Sequence, residues 1–313
     1  VRVLMIALMF LSLILSVSIP LAFEDRGLLF AAAYVALQAL RGLFMVAAFG
    51  RQRMGRNYAQ LTMWNLIAGV FWIAGAFVEA DARLALWALA VIIDYAAPLH
   101  GFALPWLGCT RMQDWTLAGG HLAERGQLVV LIALGETILS VGFTLSGIPW
   151  TAAVVAAYAV AFVITVSLWW MYFIRSAEAS AEAIAAAADP ARLGRSGYAY
   201  GHAIMVAGVI MVAVASATTI GHPLGAVSAP VAAIILAGPA VYLLGNALFN
   251  FTLFGQPPWS RLVGVLLLAA LVPLSPVVAP LALSAATAVI MLALALATGT
   301  PRRPRIPMLK ARG

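Results

Sequence analysis

Three ionisable residues stand inside long apolar runs of this chain: Arg41, Asp94 and Glu136. On insertion scales such a group costs about 2.5–3.5 kcal/mol at a membrane helix centre, so intramembrane charges pair or line a polar path. Two carboxylates at that depth could take up and release protons, with Arg41 neutralising one of them. In VIIDYAAPLHG, Pro98 follows Asp94 by four residues and removes the helical donor to its backbone carbonyl. That predicts a carboxylate at a kink near mid-span, and broken helices are tolerated at membrane depth where they line a cavity or a protein interior. Mutual pairing and a plain packing kink are the structural readings of the same residues.

The densest polar cluster is HLAERGQLVVLIALGETIL, residues 121–139. His121, Glu124 and Arg125 fall at the rim of a span. Arg125 and Glu136 are 11 residues apart, which leaves them within roughly 20° of one helical face. A polar line running inward from the rim is the expectation. His100, His202 and His222 lie near span ends and read as aromatic-belt or capping residues. The histidines and nearby carboxylates show no regular ligand spacing, so neither a metal nor another cofactor is expected. The single Cys109 excludes an internal disulfide. No Ser elbow, Walker loop or dinucleotide fingerprint occurs.

These residues sit in a chain that water could not solvate. Of 313 residues, 64% are hydrophobic and only 9% charged, with a mean hydropathy of +1.03. Soluble domains carry about 25% charged residues. Apolar runs of roughly 20 residues suit membrane helices, and strand-type alternation is absent, which argues against a β-barrel. The expected fold is an all-α, polytopic transmembrane bundle of about ten spans. They are placed near 3–22, 28–49, 59–78, 84–104, 126–144, 150–172, 199–220, 230–250, 262–276 and 278–298.

The loops check that count, because Lys and Arg mark the cytoplasmic side. With ten spans, 15 of the 18 basic residues fall on one side, Arg26 and Arg83 on the other, and Arg41 inside a span. Both termini are therefore expected in the cytoplasm of a bacterial inner membrane. The net charge of +7 then needs no nucleic acid as partner. Glu24, Asp25, Glu79 and Asp81 decorate the opposite loops. Arg2 before an apolar run could open a signal peptide, but cleavage near residue 23 would invert the charge bias. The segment 176–189 reads as an Ala-rich helix near the membrane, with Glu178 and Glu182 spaced i,i+4. Residues 301–313 read as a basic disordered tail drawn to anionic headgroups.

A weak internal repeat also shows. LQALRGLFMVAAFG (37–50) aligns with YLLGNALFNFTLFG (242–255) at an offset of 205, setting Arg41 on Asn246. Pro20-Leu21 falls on Pro223-Leu224 at an offset of 203. The repeat predicts a first partial half near 1–105 and a second near 121–300, with two helices missing ahead of residue 1. It implies a twelve-span parent of two parallel six-helix halves, and transporters are often built this way.

The stretch at 121–139 closely resembles the motif of the bacterial low temperature requirement A (LtrA) family. SLWWMYF (167–173), YAYGHAIMVAGV (198–209), GPAVYLLGNALF (238–249), RVLMIALMF and SIPLAF (18–23) resemble its flanking segments, so the resemblance covers essentially the whole chain. It points to His121, Glu124, Arg125, Gly135 and Glu136 as motif positions. Family members normally begin with a further helical pair headed by an acidic E-L-F-F-D-L-type motif. Its absence fits the repeat, and the opening Val suggests a fragment or a start codon assigned too late. Ile174 stands where the family often has an acidic residue, and Asn246 where it often has His, which puts a site needing those groups in doubt.

The family's name records growth in the cold rather than a reaction. The leading expectation is a transporter of an unidentified small molecule, coupled to protons through Asp94 and Glu136. The alternatives are an intramembrane or lipid-modifying enzyme working through His121 and Glu124, and a non-catalytic sensor or cold-adaptation factor. The lipid bilayer is the partner that the composition demands.

Overall fold

The computed structural model describes residues 1–110, 119–174, 178–185, 187 and 190–298. The basic tail 301–313 lies outside them, as do Arg111 and Arg175 of the basic set and part of the segment 176–189. Helices α1 (Arg2–Ser18), α2 (Gly27–Phe49), α3 (Arg53–Ala76) and α4 (Ala80–Ala96) form one compact unit. The second contains α5 (Gly119–Ser146), α6 (Ala152–Tyr172), α7 (Glu178–Ala185), α8 (Pro190–Leu193), α9 (His202–Gly221), α10 (Ala229–Phe254), α11 (Trp259–Ala270) and α12 (Pro280–Thr298). A π-helical turn, Gly194–Gly201, leads into α9. Among the described residues, nine helical stretches are long and apolar enough to cross a membrane. α4, with 17 residues, stands where a tenth span is expected, at the short end of what a bilayer requires. The protein is an all-α, multi-span helical bundle.

The first unit is held by aromatic rings over small residues. Ala31 of α2, Ala68 of α3 and Ala90 of α4 are fully buried, which lets the helices approach. Trp72 and Trp87 fill the space beside them, their rings 5.4 Å apart, and the Trp87 indole donates to the Trp72 carbonyl at 2.9 Å. Phe30 and Tyr34 complete the cluster. Arg83 is buried, but no carboxylate among the described residues meets it. Its guanidinium donates to Ala22 and Glu24 before α2, and to Gly75 and Val78 at the end of α3. The cation thus satisfies carbonyls that helix ends leave without donors. Gly27 is small because a Cβ there would meet the guanidinium at 2.9 Å.

Proline 98 ends α4 instead of kinking it, so the span expected over 84–104 stops at Ala96. Gly101 and Phe102 both take positive φ and reverse the chain. The returning loop is fastened by α3: Gln60 Nε2 donates to the Leu107 and Gly108 carbonyls at 2.8 and 3.0 Å. The Thr110 hydroxyl lies against Gln60 Oε1 and 3.1 Å from Asn57 Oδ1. Asn57, Gln60 and Thr110 are all buried, so a polar latch sits inside the start of α3.

The second unit is organised by the α9–α10 pair. Gly201 ends the π-helical turn and Gly208 lies one heptad on in α9, while Gly238 and Gly245 share that spacing in α10. The antiparallel pair brings Gly208 to Gly238 and Gly201 to Gly245. A Cβ on Gly208 would lie 2.4 Å from the Tyr242 nitrogen, and one on Gly245 2.6 Å from the Met205 nitrogen. Both clashes are with backbone, which cannot swing aside. Small residues that let backbones approach are the usual means of helix association in lipid, where hydrophobic exclusion from water is absent. Tyr242 then reaches across to α6, its hydroxyl donating to the Leu168 carbonyl at 2.7 Å.

Gly245→Ala is expected to force α9 and α10 apart and to destabilise the protein by about 1–3 kcal/mol, as overpacking does. Gly142→Ala on α5, where an added Cβ meets nothing within 4 Å, should be neutral or slightly stabilising because alanine loses less backbone entropy. Thermal unfolding of the two variants in detergent checks the contrast; equal melting temperatures would contradict the packing role.

Candidate functional site

In the first unit, Asp94 lies in the last turn of α4 and is half-buried. Its Oδ2 accepts from the Tyr34 hydroxyl at 3.3 Å, and Tyr34 Oη accepts from Gln38 Nε2 at 3.3 Å. Tyr34 and Gln38 are one helical turn apart on α2, which is why they line up on one face. Oδ1 of Asp94 and the indole nitrogen of Trp72 are both buried, and the indole acts on the carboxylate without reaching good hydrogen-bond geometry. The result is a short directional chain, amide to phenol to carboxylate, set in an aromatic wall.

Arg41 is not part of it. Of the two carboxylates, one of which Arg41 is expected to neutralise, Asp94 is not its partner: Arg41 is exposed on α2, whereas Tyr34, two turns earlier on the facing side, takes the carboxylate. Asn246, matched to Arg41 by the repeat, is fully buried, so the two positions serve different ends in their own units. Asp94 is also not at a mid-span kink, since α4 terminates two residues later.

In the second unit, the polar line on α5 exists but lies on the outward face. His121, Glu124, Arg125 and Glu136 are all exposed, along with Leu128, Ile132, Leu139 and Phe143. His121 Nδ1 and Glu124 Oε2 are 3.5 Å apart, and the side chains are 81% and 72% exposed. Gly135 sits on the same stripe with open space around it. The inward residue of the motif is Gly126, where a Cβ would meet His202 Nε2 at 2.8 Å and Tyr198 at 3.0 Å. The glycine therefore lets α5 close over a buried histidine.

That histidine corrects an expectation. His202 is only 5% exposed, because the π-helical turn before it extends the helical stretch and draws the start of α9 inside. Its Nε2 meets the Tyr172 hydroxyl at 2.8 Å, and its Nδ1 faces the Gly197 carbonyl at a long 3.5 Å. Those partners assign the Nδ1–H tautomer, with Nε2 accepting from the phenol. Tyr198 stacks on the ring at 5.2 Å and 10°, and Phe249 meets it edge-on at 4.9 Å. Both ring nitrogens are thus engaged, and the residue acts as a structural bridge between α6 and α9. A third polar knot joins α10 and α11: Arg261 donates to Asn246 Oδ1 at 2.9 Å and to Ser260 at 2.8 Å, and Asn250 donates to Asn246 Oδ1 at 3.0 Å.

His222 caps α9 and is exposed, and His100 is exposed in the turn after α4. Among the described residues no group of three or more His, Cys, Asp or Glu could hold a metal ion. Tyr34, Gln38, Tyr172 and Gln60 escaped sequence reasoning because lone phenols and amides in apolar helices carry no spacing signal. Gly126 had one, standing inside the motif among charged residues.

Comparison with known proteins fits this architecture. Residues 1–296 match the model of the bacterial low temperature requirement A protein family. An uncharacterized protein of Rhizobium meliloti (strain 1021) is 34% identical over 303 residues, covering 94% of this chain and 73% of that protein. No solved structure matches. The chain belongs to the bacterial low temperature requirement A (LtrA) family.

Proposed function

We propose that this multi-span LtrA-family protein is a transporter of a small molecule whose movement is coupled to protonation of Asp94. The carrying observation is the carboxylate itself: it sits within a helical bundle against two neutral donors, the Tyr34 phenol and, less well aligned, the Trp72 indole, and among the described residues no cation is paired with it. Such a group can gain or lose a proton without breaking an ion pair, and the Gln38–Tyr34 chain gives it a directional hydrogen-bonded neighbour. Intramembrane carboxylates of this kind mark ion and substrate pathways. Glu136 is the second protonatable group of the reading, carried by the outward face of α5. The His121–Glu124 pair supports a lipid-modifying enzyme less well, because both side chains are too exposed to enclose a reacting group.

The charge bias of the loops supports both termini in the cytoplasm of a bacterial inner membrane. In a Cys109→Ser background, a cysteine replacing Glu24 should react with an impermeant thiol reagent in intact cells. One replacing Gln52 should react only after permeabilisation. The reverse pattern would invert the topology.

For coupling, the purified chain is reconstituted in proteoliposomes with a pH-sensitive dye under imposed ion and potential gradients. Asp94→Asn keeps the size and the Tyr34 contact but removes the titration, and should reduce proton movement to background while helix content and elution volume stay unchanged. Glu136→Gln tests the second group in the same assay. Wild-type flux in folded Asp94→Asn would reject this assignment.

A further inference from the structure

The outward face of α5 has an order of its own. Arg125, Leu128, Ile132, Gly135, Leu139 and Gly142 follow one another at alternating steps of three and four residues, and His121 and Ser146 extend the series by four at either end. All are exposed except Gly135, which is half-buried. Ala123, Val130, Ala133 and Thr137 point the other way, into the unit, where α5 packs on α9. A repeat of 3.5 residues is the one with which two helices wind around each other. Gly135 and Gly142 are seven residues apart, the separation of Gly201 from Gly208 and of Gly238 from Gly245. Those four bring α9 and α10 into backbone contact, whereas a Cβ on Gly135 or Gly142 would meet nothing within 4 Å. Glu136 borders the series, roughly three turns beyond Arg125. A carboxylate at that depth is unfavourable against lipid and belongs against protein.

A second copy of the chain supplies the matching surface. Two copies inserted in the same orientation are related by a two-fold axis along the membrane normal, which sets their α5 helices side by side and parallel. Each residue of such a seam enters a hole formed by four residues of the facing helix. For Arg125 the hole consists of His121 of the partner subunit, Glu124 of the partner subunit, Arg125 of the partner subunit and Leu128 of the partner subunit. The guanidinium therefore meets Glu124 of the partner subunit, and symmetry makes the contact twice. Within its own chain Glu124 is met by His121 through Oε2, which leaves Oε1 to accept from the guanidinium. The two arginines approach each other at the rim, where these carboxylates and water screen them. Deeper in, the two glycines let the helices cross closely, as small residues do in lipid.

We propose that the chain forms a parallel, two-fold homodimer in the membrane through this face of α5, with Gly135 and Gly142 at the crossing and Arg125–Glu124 pairs at the rim. The dimer stands apart from the transport reading, and Asp94→Asn should remain dimeric even where its flux is lost. Light scattering of the purified full chain in mild detergent should give a protein mass twice 32.9 kDa. Gly135→Leu and Gly142→Leu fill space that is open on the single chain, so helix content should hold while the dimer weakens about tenfold or more. Gly142→Ala, still small enough for a close crossing, should stay dimeric. Arg125→Glu should weaken the dimer, and adding Glu124→Arg should restore it. In native membranes of a Cys109→Ser background, oxidation should join two chains through Leu139→Cys but not through Tyr158→Cys on the exposed side of α6. This membrane cross-link decides the matter if detergent separates the copies. Absence of the Leu139→Cys cross-link would overturn the interface, and so would a dimer that both leucine variants leave intact.

Discussion

Everything placed in the second unit depends on the contact of α9 with α10 through four glycines. Helix backbones that meet without intervening side chains fix the axial register of both, because Gly208 can lie against Tyr242 in only one way. That register sets the reach of Tyr242 to the Leu168 carbonyl, the edge of Phe249 on His202, and the position of Asn246 before Arg261. Pro239 adjoins Gly238, so the proline that interrupts the hydrogen-bond ladder of α10 stands beside the close contact. The polar groups of this unit are thus held by dispersion between close backbones rather than by the charges themselves. Such packing is the principal attraction open to helices in hydrocarbon.

The first unit reaches the same end differently. Among its described residues no glycine pairs match across two helices as they do in α9 and α10, and bulky indoles take their place. Polar ends are closed from within: Arg83 gathers the carbonyls at one end, and Gln60 with Asn57 ties down the returning loop at the other. A buried guanidinium without a carboxylate is tolerable because it has several donors and carbonyls stand ready to accept from them. Arg83 therefore acts as a multi-armed helix cap, and only a planar fork of fixed geometry can serve that many carbonyls at once.

The multi-span helical class was legible because it depends on length and hydropathy alone, although nine helical stretches among the described residues, against ten expected, are long and apolar enough to cross a membrane. α2 and α6 fall close to the places expected for them, whereas α5 begins at Gly119, ahead of the expected 126. The facing of the polar residues was not legible. A helical wheel shows that Arg125 and Glu136 share a face, but it does not say whether that face looks inward; the burial of Ala123, Gly126, Val130 and Thr137 settles that it looks out. For His202, the missing information was a π-helical turn, whose wider hydrogen bonding no residue pattern announces. At Pro98 the proline was visible, but a kink and a stop differ only in the path of the chain beyond it, and here Gly101 and Phe102 turn the chain back.

The contrast between His202 and Asp94 bears on which buried group can work. His202 has its two ring nitrogens committed to Tyr172 and Gly197 and its faces covered by aromatic rings. A change of protonation there would break a contact that joins two helices, so the fold resists it. Asp94 is held more loosely, by the Tyr34 phenol at 3.3 Å and by a poorly aligned Trp72 indole. No helix-to-helix contact of Asp94 is as closely fitted as those of His202. In a medium where polar groups are normally fully engaged, the loose engagement of this carboxylate is the feature on which the proposed coupling rests, and the tight engagement of His202 is what makes that residue structural.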